Sequence, residues 1–456
     1  MGRTIFQAAR RAFVTVVGLG AVSMALPCTT PVEAAEARPS IVIITVDALR
    51  ADRLGSYGYQ RDTSPEIDRL VASGRRFDRA WTPEPLTGPA LCSMVTGLEP
   101  HQHGASRNGL RMQSGLDSLP RILASEGWQT AAIVSSWTLK NNLTLLGEHF
   151  DTYGERLRSR RWFGLINSES RAEDVTEDAI DWMARIRRSH PENPFMLWVH
   201  YIEPHAPYVF QRDYAGRLGI AGKEASKSDR YDTEIAAVDA EIGRLVREAR
   251  RFNGDREMII VFTADHGESL GEHHYWGHGR YLYEPSLRIP LAVIWDGVIE
   301  PGTVAGQASL LDLTPTILEL AGLSVPPELP GVSWAETLRG GAEPAEASRC
   351  YQAHKGAVHG SHDSDRARSK GLLWVGVIEG HRKELYRVGR QVLQVYDLEA
   401  DPGELESLAA ADAAASEDLL VCLATVSEGL GSLDRLTTQT LDDETVGRLK
   451  ARGYLE

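Results

Sequence analysis

The chain has 456 residues, 42% hydrophobic and 25% charged, values of a globular protein rather than of a disordered chain or a multi-span membrane protein. Its 49 Lys and Arg against 63 Asp and Glu leave a formal charge of −14, which argues against a nucleic-acid partner held through phosphates. Four cysteines in this length are too few for a disulfide scaffold.

Residues 1–37 read as an export signal. Arg3, Arg10 and Arg11 form a positive start, Ala12 to Leu26 an apolar run, and Ala35-Glu36-Ala37 a small-x-small cleavage site. The run falls short of the roughly 20 residues that span a bilayer, so the expectation is an exported, periplasmic or secreted protein; an uncleaved anchor is the alternative. "ARRAFVT" resembles a twin-arginine motif, with plain secretory export the other route.

After residue 38, three apolar runs end in chemistry-bearing residues. Ile41 to Val46 leads into Asp47; Phe195 to Val199 leads into His200, Glu203 and His205; Met258 to Thr263 leads into Asp265 and His266. Such runs predict strands buried on both faces of a parallel sheet, and ligand sites lie at the carboxyl ends of such strands. Tyr231 to Arg251 predicts a helix with Ile235, Val238, Ile242 and Leu245 on one face, and Leu311 to Gly322 predicts another. From about residue 345, "GLLWVGVIEG", "KELYRVG" and "QVLQVYDLEADPGE" predict short antiparallel strands, and the tail predicts helix. The expected organisation is a catalytic domain over 38–340 and a smaller domain over 341–456.

Carboxylates and an imidazole gathered from separate strands are what a divalent ion needs. Alternatively, Asp47 caps the following segment and His266 packs in a loop. The order of "TVDALRADRLGSYGY", "TGPALCSMVTGLEPHQHG", "VHYIEPHAPY", "TADHGESLGEHHYWGHGRYLYEPSLRIPL", "LDLTPTILELAG" and "VYDLEADPGE" resembles the sulfatase family of the alkaline-phosphatase superfamily. The resemblance implies an α/β fold: a mixed, mostly parallel central sheet flanked by helices, then a small domain with an antiparallel sheet and helix.

It also implies that Asp47, Asp265 and His266 are metal ligands and that the nucleophile position falls on Thr87, itself a ligand. Here the chain departs from the family. Sulfatases mature a Cys or Ser at that position to formylglycine, and Thr cannot yield that aldehyde, so no formylglycine is expected. Leu91 stands for the pattern's Arg, and Ala48 for the second Asp of the opening pair. The implied cofactor is one divalent ion, with Ca, Mn, Mg and Zn all left open by two carboxylates, one imidazole and a hydroxyl. His205 matches a family histidine that contacts the ester or protonates the leaving group, though it could instead stack between Pro204 and Pro207. His278 lies where the family carries Lys or His near the transferred group. Asn108 matches an Asn beside the nucleophile segment, with a surface turn before Gly109 the alternative. Arg50 and Asp52 could buttress the site. His101 and His103 read as structural, and His200 as a group beyond the ligands. His273 and His274 read as loop residues, Cys92 as a core helix residue, and Trp137, Trp162, Trp182 and Trp198 as core.

The leading reading is an exported metal-dependent hydrolase of sulfate or phosphate esters acting through Thr87. Its substrate would be a small-molecule, glycan or lipid ester. Two alternatives stand beside it: a phosphotransferase or phosphodiesterase of envelope glycans or lipids, and an inactive sulfatase-fold binding protein. No transmembrane bundle and no nucleic acid are expected, and the sequence is silent on oligomeric state.

Overall fold

The uncharged runs become the centre of a sheet. In the computed structural model, β1 (Ser40–Val46), β2 (Arg75–Trp81), β3 (Gln129–Val134), β4 (Thr152–Gly154), β5 (Phe195–Tyr201) and β6 (Met258–Ala264) precede a small antiparallel pair, β7 (Ser269–Leu270) and β8 (Trp276–Gly277). β9 (Leu291–Trp295) and β10 (Gly302–Ser309) follow, and the large sheet runs β10-β2-β9-β6-β1-β5-β3-β4. β1 lies parallel between β5 and β6, whereas β9 is antiparallel to both β2 and β6. The sheet is therefore mixed and mostly parallel, as expected. The structure describes residues 38–158, 169–222, 224–356, 371–410 and 414–429; Trp162 and the export segment lie outside them.

Every residue of β1, β5 and β6 is buried, which explains why these strands read as continuous apolar runs rather than alternating ones. The helix Lys227–Asn253 buries Ile235, Val238, Ile242 and Leu245, and it opens on a capping box between Ser226 and Asp229. The segment predicted as helix from Leu311 to Gly322 divides into a single tight turn, Leu310–Asp312, and a helix, Leu313–Leu320.

A second sheet of β11 (Arg349–His354), β12 (Leu372–Glu379), β13 (Arg382–Arg387) and β14 (Val392–Asp397) is antiparallel throughout. Side chains of β12 alternate between its faces. Trp374 and Ile378 join a cluster with Trp81, Leu282 and Leu287, while Val375 and Val377 meet Leu419, Leu423 and Val426 of the helix Glu417–Gly429. A disulfide between Cys350 and Cys422 ties that helix to β11. β11 has no counterpart among the predicted strands. Its polar Gln352 and His354 are buried because they meet the loop at residues 83–84, a contact no local pattern reveals. Trp137 departs from its core reading, being 36% exposed, whereas Trp182, Trp198 and Cys92 are buried. Among the described residues no helix is long and apolar enough to cross a membrane.

Candidate active site

Strand register gathers the site. Thr45 pairs with His200 on one side and with Thr263 on the other. Residues in register on neighbouring strands point to the same face, so Thr45, His200 and Thr263 occupy one face of the sheet. Asp47 and Asp265 follow at the strand ends. His200 therefore lies inside β5, not beyond its end as the sequence reading placed it.

The turn after β1 is held firmly. Ala48 has φ +58, a left-handed conformation costly for an L-residue with a Cβ. Its N–H donates to Asp265 Oδ1 at 3.0 Å, and its carbonyl accepts from the Tyr231 hydroxyl at 2.7 Å. The His266 N–H also donates to Asp265 Oδ1, at 2.7 Å. That leaves Asp265 Oδ2, Asp47 Oδ1 and His200 Nε2 buried without hydrogen-bond partners.

His266 is oriented by its own chain. Its Nδ1–H donates to the Gly267 carbonyl at 2.8 Å, which leaves the lone pair on Nε2. That nitrogen lies 3.3 Å from Asp265 Oδ2, 3.6 Å from Asp47 Oδ1 and 3.4 Å from Thr87 Oγ1. Thr87 opens the helix Thr87–Thr96 and is 2% exposed. Asn108 secures this first turn: its side-chain oxygen accepts the Gly88 N–H at 2.7 Å, and a Cβ at Gly88 would lie 2.8 Å from that oxygen.

Charges at the site are unevenly compensated. Burial first, then the carboxylates of Asp265 and Glu268, hold the Asp47 pKa well above its usual range. Burial raises Asp265 to about 7 despite its backbone donors. Burial and the neighbouring His278 keep His266 well below neutrality. Burial also opposes a charge on His278, but Glu268 at 3.0 Å outweighs it and raises that pKa. The same pair keeps Glu268 low, overriding its burial. The His278 ring lies 4.1 Å from that of His266 and 5.0 Å from that of His205, centroid to centroid.

Thus Thr87, Asp47, Asp265, His266, His278 and His205 form one chain of neighbours, and Asn108 touches it through Gly88. Arg50 pairs with Asp52 and Glu272 at 2.7 Å each and donates to the Glu268 carbonyl oxygen at 3.1 Å, supporting the loop after β6. His103 lies 3.0 Å from the Ser93 hydroxyl and accepts the Ala105 N–H, a structural role. His101 is buried nearby. His273 stacks on Tyr283 with centroids 3.7 Å apart, and both His273 and His274 have positive φ. Glu268, Tyr231 and the Glu84–His354 pair escaped the sequence reading. Only Glu268 carried a signal, its place two residues after His266.

The residues present fit a divalent cation. Asp47, His200 and Asp265 each offer a ligand atom, and these atoms lie within 4.8 Å of one another. Their unpartnered oxygens repel one another until a positive charge sits between them. The fold and this site define an ester hydrolase of the alkaline-phosphatase type, with a buried hydroxyl at a helix start beside His266 and carboxylates at strand ends.

Comparison with known proteins narrows the class. The Sulfatase family model matches residues 39–323, and the model of the N-sulphoglucosamine sulphohydrolase C-terminal region matches 271–423. The chain belongs to the sulfatase family. It is 22% identical to the N-acetylglucosamine-6-O-sulfatase of Bacteroides thetaiotaomicron over 86% of either chain. A solved complex with the substrate D-glucosamine-2-N,6-O-disulfate superposes with a TM-score of 0.69 at 21% identity, covering 87% of this chain and 99% of that one. The phosphonate monoester hydrolase of Agrobacterium radiobacter superposes at 0.65 with 19% identity, covering 87% and 95%.

Proposed function

We propose that the protein is an exported, metal-dependent sulfatase that hydrolyses a sulfate ester, with a sulfated glycan as substrate class, through Thr87. The observation that carries this reading is the Thr87 hydroxyl, buried at a helix start 3.4 Å from His266 Nε2, the nitrogen that also lies 3.3 Å from Asp265 Oδ2 and 3.6 Å from Asp47 Oδ1. Relatives named as sugar sulfatases, and a structural relative bound to a sulfated glucosamine, support the substrate class. The disulfide supports export, since such bonds persist in oxidising compartments.

Asp47, Asp265 and His266, with Thr87, would hold the ion, which when bound supplies Lewis acidity to the hydroxyl and to a non-bridging ester oxygen. The chain's own groups do the rest. Thr87 Oγ gives its proton to solvent and attacks sulfur, forming the Thr87–sulfur ester as the bond to the leaving alcohol breaks. His205 gives the leaving oxygen its proton, and His278, whose charged form the Glu268 carboxylate favours, neutralises charge on the transferred group. Water, deprotonated by His205, then attacks sulfur. Sulfate departs and the proton returns from solvent to Thr87 Oγ. This second step is needed because Thr has no gem-diol to collapse, unlike formylglycine.

That same requirement favours a second reading, phosphoester cleavage, for which a displacement at a Thr ester is equally suited. The test presents metal-loaded protein with matched aryl sulfate, aryl phosphate and aryl phosphodiester, then assigns any adduct on the Thr87 peptide by accurate mass. A sulfo adduct is expected. A phospho adduct would replace the first reading with the second, and neither adduct nor turnover would leave an inactive binding protein.

A further inference from the structure

We propose that His200 is a direct ligand of the ion, beside Asp47, Asp265 and His266, so that the site holds two imidazoles and two carboxylates and selects Zn2+ over Ca2+ or Mg2+. The inference rests on the metal reading above and deepens it.

The ring is placed as a ligating histidine is placed. His200 is fully buried. Its Nδ1 lies 2.9 Å from Thr45 Oγ1, which itself accepts the Trp198 indole N–H at 2.8 Å. A histidine bound to a metal has its other nitrogen anchored in this way, fixing tautomer and ring plane. Strand register enforces the arrangement: Trp198 pairs with Ile43 and His200 with Thr45, so the anchoring side chains share a face.

The opposite nitrogen, Nε2, has no hydrogen-bond partner. A buried polar atom left unpaired costs about 1–3 kcal/mol, so this one calls for an occupant. Its nearest carboxylate oxygen is Asp47 Oδ2 at 3.6 Å. That is too long for a hydrogen bond. It suits two donors sharing one ion, because bonds of about 2.0–2.2 Å set neighbouring donor atoms roughly 3–3.5 Å apart. Asp47, His200 and Asp265 donor atoms meet within 4.8 Å, and His266 Nε2 stands 3.3 Å from Asp265 Oδ2. At the turn itself, Ala48 offers no side-chain donor, so a further ligand has to come from a neighbouring strand.

Ligand chemistry then favours one class of ion. Alkaline-earth ions take oxygen shells, whereas imidazoles favour late first-row metals. A second imidazole shifts the set toward the latter.

The deciding measurement is zinc K-edge X-ray absorption on the full mature chain loaded with one equivalent of Zn2+, where outer-shell scattering counts imidazoles. Two are expected in wild type and one in His200→Gln. Competition against chromophoric chelators should show Zn2+ preferred over Ca2+, with His200→Gln cutting that preference by about tenfold or more. One imidazole in wild type overturns the proposal, as does a preference for Ca2+. The wild-type count stands alone if the variant fails to fold. Zinc bound through one imidazole leaves the metal reading intact and removes only this inference; binding of neither ion removes both.

Discussion

The disulfide between Cys350 and Cys422 closes a loop with a sequence separation of 72. In the chain-entropy description, closing a loop of that length removes about 4 kcal/mol of freedom from the unfolded chain at 25 °C. The bond also fixes the helix Glu417–Gly429, whose Leu419, Leu423 and Val426 cover Val375 and Val377. Replacing both cysteines by serine leaves neither partner of the bond as an unpaired thiol and should lower stability by about 2–4 kcal/mol, the lower value allowing for structure retained in the unfolded chain. Equilibrium urea unfolding by far-ultraviolet circular dichroism, on wild type, reduced wild type and the double variant, measures this. The reduced protein and the variant should unfold at the same lowered midpoint. Cys92 gives an internal control, because it is fully buried and its thiol is pushed up by burial alone. With residues 1–37 removed, denatured protein should show one thiol before reduction and three after. Equal midpoints with and without the bond, or three thiols in oxidised protein, would refute the reasoning and remove one support for export.

Three further outcomes follow from the site. Thr87→Ala should lower kcat by about 10³-fold or more with metal stoichiometry unchanged, while Thr87→Ser retains turnover; an alanine variant within tenfold of wild type would end the nucleophile role. In metal-free protein Asp265 is raised from 3.8 to about 7, so its stabilising contribution is complete below 3.8 and fades as pH rises through about 7. Relative to Asp265→Asn, the stripped wild type should lose Tm across that window and regain it on adding a divalent ion, more so above neutrality than at mildly acidic pH; parallel Tm curves for the two stripped proteins would count against this. In Glu268→Gln, His278 loses the carboxylate that raises its pKa and burial then lowers it, so the alkaline limb of the kcat/KM profile should move to lower pH. An unmoved limb would mean that the protonated His278 is not required.

What the sequence revealed of this protein tracks how local each cause is. β1, β5 and β6 were legible because strands buried on both faces carry long uncharged, mostly apolar runs, and the titratable residues at their ends stand out against them. The helix Lys227–Asn253 was legible from its 3.6-residue period. His200 shows where reading by period fails: inside a fully buried strand a polar side chain looks like the strand's end, and only its register with Thr45 and Val134 shows it continuing the ladder. Ala48 shows another limit. Its left-handed turn is imposed by Tyr231 and Asp265, more than 180 residues away in sequence.

The Glu84–His354 pair carries this furthest. Glu84 lies three residues before Thr87, and its carboxylate accepts the His354 N–H at 3.2 Å and lies 3.0 Å from His354 Nδ1, with both side chains fully buried. The Gln352 N–H donates to the Pro83 carbonyl at 3.0 Å, so β11 clasps the loop before Thr87 at two successive residues, Pro83 and Glu84. On the other side of that loop, Asn108 holds Gly88. The segment carrying Thr87 is therefore fixed from both ends, once by its own sheet's connections and once by the second sheet. Catalysis by a hydroxyl demands placement to within a fraction of an ångström. The antiparallel sheet, which contributes no group to this site among the described residues, helps fix the segment that carries the Thr87 hydroxyl beside His266.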